Sequence, residues 1–95
     1  MDKFISYCQI AFKSRQVEFG DALIPCIQHQ NAYCVVMDEL TGNNRKKKLR
    51  NKCAFYQIPL YELSSQRFEQ ITNKAINSFA ITSKEIAEEM QKLEG

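Results

Sequence analysis

The chain has 95 residues, of which 44% are hydrophobic and 25% charged, with a net charge of +2. That length suits one domain, expected to have a radius of roughly 12 Å, and the composition argues against wholesale disorder. It leaves little room for a deep active-site cleft. It also contains no apolar run near the ~20 residues of a membrane span.

The first eleven residues hold only short apolar stretches, broken by Ser6 and Gln9, and lack a small-residue cleavage site. The expectation is therefore a cytosolic protein without a signal peptide. Phe4, Ile5, Cys8, Ala11 and Phe12 recur at helical spacing and predict an amphipathic helix over residues 2–13. An extended piece at 16–19 follows, and Gly20 punctuates it. Asp21 is placed to cap a second helix reaching about Gln30. Pro25 disturbs that helix, so either its first turn is irregular or the regular helix begins later.

Ala32 to Met37 is a nearly unbroken apolar run, the pattern of a central strand covered on both faces. Residues 41–44 (Thr-Gly-Asn-Asn) read as a loop with cap chemistry. A third helix then places Leu49, Cys53 and Tyr56 on one stripe. Pro59 leads into a strand at 60–63, and Ser65 opens a short helix with Phe68 and Ile71 inward. Asn73 and Lys74 mark a loop, and 78–82 reads as the last strand. Thr82 with Glu85 has the form of a capping box before a final helix whose stripe is Ile86, Met90 and Leu93. Buried strands alternating with helices imply an α/β fold, a three-layer α/β/α sandwich around a mixed sheet of about four strands. Residues 1–95 form a single domain in this reading.

Candidate chemistry is sparse. Cys8, Cys26, Cys34 and Cys53 are spaced 18, 8 and 19 apart, and none forms a Cys-x-x-Cys pair. They read as small buried side chains in a reducing compartment rather than ligands or disulfides. His29, the only histidine, falls at a predicted helix end with no nucleophile fixed beside it. Asp38 and Glu39 leave a central strand where α/β folds place metal or phosphate chemistry, but two carboxylates without a third ligand or a glycine-rich loop favour a solvated strand end. No catalytic residue, metal or cofactor is expected.

Charge distribution is more informative. Residues 43–52 hold Arg45, Lys46, Lys47, Lys48, Arg50 and Lys52 with no acid, while the segments on either side are each net −2. If Asn44 caps the third helix, residues 45–48 occupy its first turn, the positive end of the helix dipole. Each cation there is unfavourable by ~0.3–1 kcal/mol before screening. Crowding them at that end makes sense when an anion is held by the bare N–H groups and the lysines together. RNA presents phosphates at a suitable density.

The order of these motifs resembles the ribosomal L-seven-Ae superfamily, and more narrowly its small bacterial kink-turn RNA-binding branch. The resemblance runs from about Phe4 to Leu93, through residues 20–27, 33–37, 44–49, 52–61 and 79–82. Its most specific part is Asn-x-Lys-Lys-Lys-Leu followed by Lys-Cys-x-x-Tyr-x-x-Pro-Leu-Tyr at residues 44–61. It implies an α/β/α sandwich that binds structured, kink-turn-like RNA without catalysis, as a ribosome-associated protein whose partner is ribosomal RNA or an mRNA leader, with no DNA and no membrane. The contacts it implies are Phe19, Gly20 and Asp21 before helix two; Asn44, Arg45, Lys46 and Lys47 at the start of helix three; and Ile71, Thr72, Asn73 and Lys74 before the last strand. The residues that read tandem G·A pairs in such proteins, Asn, Glu and Lys, are here Ala22, Leu23 and Cys26. Backbone contact with strong salt dependence is therefore expected in place of base-edge readout. The alternatives are a protein-interaction module that kept the fold, and a metal enzyme built on Asp38 and Glu39.

Overall fold

A computed structural model describes residues 2–94. The chain runs α1 (Lys3–Lys13), β1 (Val17–Phe19), a 3-10 turn (Gly20–Ala22), α2 (Leu23–Gln28), β2 (Cys34–Asp38) and α3 (Asn43–Tyr56). It continues through β3 (Leu60–Leu63), α4 (Ser65–Phe68), β4 (Ser78–Ile81) and α5 (Lys84–Glu94). The sheet order is β1-β4-β2-β3, with β2 and β3 parallel and β4 antiparallel to both β1 and β2. The carboxyl ends of β1, β2 and β3 therefore share one edge of the sheet with the start of β4.

Side-chain alternation on the two middle strands builds a core on each face. On one side Cys34 and Val36 of β2 and Phe79 and Ile81 of β4 pack with Phe4, Ile5, Cys8 and Ala11 of α1, Phe68 of α4, Ile71, and Ala87 and Met90 of α5. On the other, Val35 and Met37 of β2 and Ala80 of β4 pack with Leu23, Cys26 and Ile27 of α2 and Leu49 and Cys53 of α3. The result is three layers, with a radius of gyration of 11.9 Å. Phe79 sits edge-on to Phe12 at 4.8 Å and tilted against Phe68 at 5.7 Å. Burying a side chain of this kind stabilises by about 1.5–3 kcal/mol.

Several helix ends differ from the sequence expectation, each for a local reason. Asp2 is the N-cap of α1, accepting from the Ile5 N–H at 3.3 Å, and its carboxylate also accepts from Arg67 Nε at 2.9 Å, tying α1 to α4. Asp21 does not cap α2. Gly20, at φ 65°, turns the chain out of β1 into a 3-10 turn that holds Asp21, and Pro25 is then the third residue of α2. This is the irregular first turn that Pro25 allows, because its missing N–H would have no intrahelical partner there. Gly42, not Asn44, precedes α3, with no side-chain cap. Ser83, not Thr82, caps α5 through the Ile86 N–H, so the Thr82–Glu85 box does not form. Leu93 is exposed, and the inward stripe of α5 is Ile86, Ala87 and Met90.

All four cysteines are free and buried. Burial pushes the Cys34 thiol up to about 12, with Cys53 adding to the shift, and pushes Cys53 itself up to about 11. Cys8 and Cys26 are pushed up by the same cause. The unfolded chain releases these protons near ~8.5. The thiols thus contribute stability that is complete below that pH and is lost progressively as pH rises toward the folded values. Urea midpoints measured from pH 7 to 10 should hold steady to about 8.5 and then fall. The loss should reach about 1–2 kcal/mol per fully buried thiol by pH 10, with a shallower decline in Cys34→Ala.

Candidate nucleic-acid interface

Three segments far apart in sequence meet at the sheet edge where β1, β2 and β3 end. The β1 exit supplies Gly20 and Asp21, α3 supplies Arg45, and the loop into β4 supplies Ala75, Ile76, Asn77 and Ser78. Together they line a cleft of about 250 Å3. Gly20 serves this site through its backbone: a Cβ there would meet nothing within 4 Å, but its φ of 65° is one that L side chains rarely adopt.

Arg45 is held rather than free. Its Nε donates to Ser78 Oγ at 3.3 Å, and that buried hydroxyl donates to Asn77 Oδ1 at 2.9 Å. The Asn77 carbonyl accepts from the Asp38 N–H at 2.8 Å and from Thr41 Oγ1 at 3.1 Å, so the loop is fastened to the end of β2. No partner of the Arg45 Nη groups occurs among the described residues, and Arg45 is one of the residues that line the cleft. Beside it, Lys74 Nζ lies 5.5 Å from the centre of the Phe19 ring, and Phe19 stacks on Phe12.

The predicted contact residues thus divide. Phe19, Gly20, Asp21, Arg45 and Lys74 come together. Asn44 and Lys47 are exposed on α3 nearby, Thr72 is half-buried and accepts the Lys74 N–H, and Asn73 is exposed. Ile71 is 5% exposed and belongs to the core, its place in the inward stripe with Phe68, so its side chain offers no contact surface. Lys46 turns away to Glu62 on β3 at 3.4 Å, with a side chain only 16% exposed, and Arg50 meets the same carboxylate at 2.7 Å. Hydrogen bonds from Arg50 foremost, then from Lys46, hold the Glu62 carboxyl below its ordinary range, so the cluster persists at neutral pH.

The register of α3 also corrects the dipole argument. With Gly42 as the cap, the first three helical residues are Asn43, Asn44 and Arg45, and the Lys46 N–H already bonds the Gly42 carbonyl at 2.9 Å. Only Arg45 among the cations lies on the free amides; Lys47 and Lys48 belong to the second turn. Ala75 to Ser78 were missed in the sequence, where the usable signal was a polar pair, Asn77-Ser78, opening an otherwise apolar strand.

Asp38 and Glu39 are structural. Ser65 Oγ donates to Asp38 Oδ1 at 2.6 Å and the Ser65 N–H to Glu39 Oε2 at 3.0 Å, so the pair anchors the start of α4. Among the described residues no three His, Cys, Asp or Glu side chains are grouped to hold a metal, and no helix is long and apolar enough to cross a membrane. On the opposite edge a wider cleft of about 520 Å3 is lined partly by Glu18, Cys26 and His29. His29 ends α2, its N–H bonding the Pro25 carbonyl. Burial, with Glu18 adding to it, pushes the Cys26 thiol above its ordinary range.

Neither a protein-family model nor a curated protein matches the chain. In fold it is similar to a solved structure described as a protein with unknown function from Bacillus halodurans C, with a TM-score of 0.87 and 23% identity. That match covers 98% of this chain and 97% of the other. The likeness is one of architecture and carries no activity with it.

Replacing Ser65 by Ala should lower the unfolding free energy by roughly 1–2 kcal/mol, since a hydrogen bond to a charged group is lost. Magnesium or zinc should leave the melting temperature of the unaltered protein unchanged. A metal-induced rise that Asp38→Asn removes would contradict the structural role.

Proposed function

We propose that this chain is a non-catalytic RNA-binding protein of the L-seven-Ae-like kind, docking structured, kink-turn-like RNA on the edge where β1, β2 and β3 end. Ribosomal RNA or an mRNA leader is the natural partner in this reading. The observation that carries it is the convergence of Arg45, Lys74 and the Phe19–Asp21 exit around one cleft, beside a helix that contains no acid. A half-buried guanidinium anchored through Nε keeps its remaining donors in a fixed fork, the geometry suited to phosphate.

The chemistry of the edge supports backbone recognition. Leu23 and Cys26, which stand where related readers would carry Glu and Lys, are buried in the α2–α3 core. Ala22 is exposed but has no polar group. Nothing at these positions reaches a base edge, whereas Arg45, Lys47, Lys48 and Lys74 can meet phosphates. Asp21 lines the same cleft and favours an approach in which phosphates pass on its Arg45 side.

Binding should weaken steeply with salt, and the cations should contribute unequally. In titrations of a kink-turn RNA at several salt concentrations, Lys47→Ala should reduce the slope of log K against log salt by roughly 0.7–0.9, one phosphate contact. Lys46→Ala should change it much less, because Lys46 is engaged with Glu62. Glu62→Gln should tighten binding and steepen the slope by releasing two cations. Equal slopes for wild type and Lys47→Ala, with Lys46→Ala the more damaging substitution, would contradict this arrangement.

A further inference from the structure

The far end of α3 carries a second feature that the cleft at its start does not use. On this helix the core stripe of Leu49, Cys53 and Tyr56 is opposed by Asn44, Lys48, Asn51 and Phe55, which recur at i, i+4, i+7 and i+11 and are all exposed. Phe55 is 78% exposed, an unusual position for a phenyl ring, and it sits edge-on to Tyr56 at 4.8 Å. Behind this pair lies a cleft of about 240 Å3 between the C-terminal ends of α2 and α3, lined by Tyr33, Tyr56, Gln30, Gln57, Ile58 and Pro59 among others.

Two glutamines line the mouth of this cleft. Gln30 and Gln57 both hold left-handed backbone, at φ 60° and 57°, where glycine or asparagine is the usual occupant of a helix end. Both side chains are exposed, and neither amide has a partner among the described residues. Arg15 shares this backbone after α1, at φ 58°, so the left-handed turn is how these helices end; at α2 and α3 it places two long amides at the mouth of one aromatic cleft. Lys52 lies one turn before Tyr56, with Lys48 a turn earlier.

We propose that this aromatic cleft receives an unpaired base of an RNA strand, stacked against Tyr56 or Tyr33 and met at its edge by Gln30 and Gln57, while the strand's phosphates follow Lys48 and Lys52 along α3. The proposal rests on the RNA-binding reading and extends it from a docking edge to a single-stranded track. Charge selects the occupant: a helix with six cations and no acid favours a polyanion over a protein surface of mixed charge. Aromatic rings with amides beside them are how unpaired bases are held. The 14 residues of α3 span about 20 Å. A strand stacked at ~3.4 Å per nucleotide covers that with about six nucleotides.

The test uses a kink-turn RNA that is blunt, or carries a single-stranded tail of two or eight nucleotides, with binding read by anisotropy. The chain has no tryptophan, so quenching of tyrosine emission gives a second readout. The eight-nucleotide tail should tighten binding about fivefold or more and quench tyrosine emission; the two-nucleotide tail should do neither. Tyr33→Ala and Gln57→Gly should abolish the gain while leaving blunt RNA unaffected. Both should fold, the first because Tyr33 is 44% exposed and the second because glycine relieves the left-handed backbone.

Equal affinity for blunt and tailed RNA would overturn the base-binding cleft and leave the docking edge standing. Failure of every RNA to bind would overturn both. If Tyr33→Ala instead dissolved a self-associated form in sedimentation and left every RNA affinity unchanged, the patch would be a protein contact and the proposal would fall.

Discussion

The insertion of β4 between β1 and β2 is the constraint on which the rest of this structure depends. The last strand to be made becomes one of the two central ones, and all four of its residues are buried. Its hydrogen bonds join the first part of the chain to the middle. Its alternation supplies Phe79 and Ile81 to one core and Ala80 to the other. Because the strand enters at the edge where β1 and β2 finish, the loop before it is carried to the β1 exit and the start of α3. A buried polar residue at its mouth would be costly if left unpaired, and Ser78 meets that need with Arg45 and Asn77. The cleft and the sheet are thus products of one packing requirement.

Helix α3 shows how a uniform run of cations becomes a set of distinct tools. Its six basic residues are contiguous enough to read as one patch, yet rotation of 100° per residue distributes them around the axis. Arg45 is turned into the cleft, Lys46 and Arg50 converge on Glu62, and Lys47 and Lys48 are left to solvent. Local charge density on the outer face is therefore lower than the sequence suggests, and the direction of each cation matters more than the count. Paired surface cations contribute little to stability; here their effect is to decide which face of the helix presents unpaired cations.

Most of the architecture was legible because it rests on periodicity. The stripe of α1, the buried run of β2, the core face of α3 and the four strands all follow from side-chain spacing, which the backbone geometry enforces directly. Chain ends of helices were less legible, because several neighbouring residues can each satisfy the same free amides. Ser83 competes with Thr82, Gly42 precedes a helix that Asn44 was expected to cap, and a left-handed Gly20 converts the expected Asp21 cap into a 3-10 turn. Strand order is a long-range property and was not readable. Of the three segments singled out by the family likeness, parts do lie together at one cleft, Gly20, Asp21 and Arg45 among them. The likeness could not show that Ile71 packs inward, since an apolar residue at a loop's start has the same letter in either role. Nor could it show that a carboxylate sixteen residues away, Glu62, claims Lys46.

The sheet's two rims have a consequence of their own. β1 is only three residues long and carries Glu18 outward, while β3 is entered through Pro59 and bears Glu62. Short, charged or proline-led borders offer an incoming strand few bonds to make. Growth of the sheet by addition of a further strand from another chain is accordingly disfavoured at both flanks.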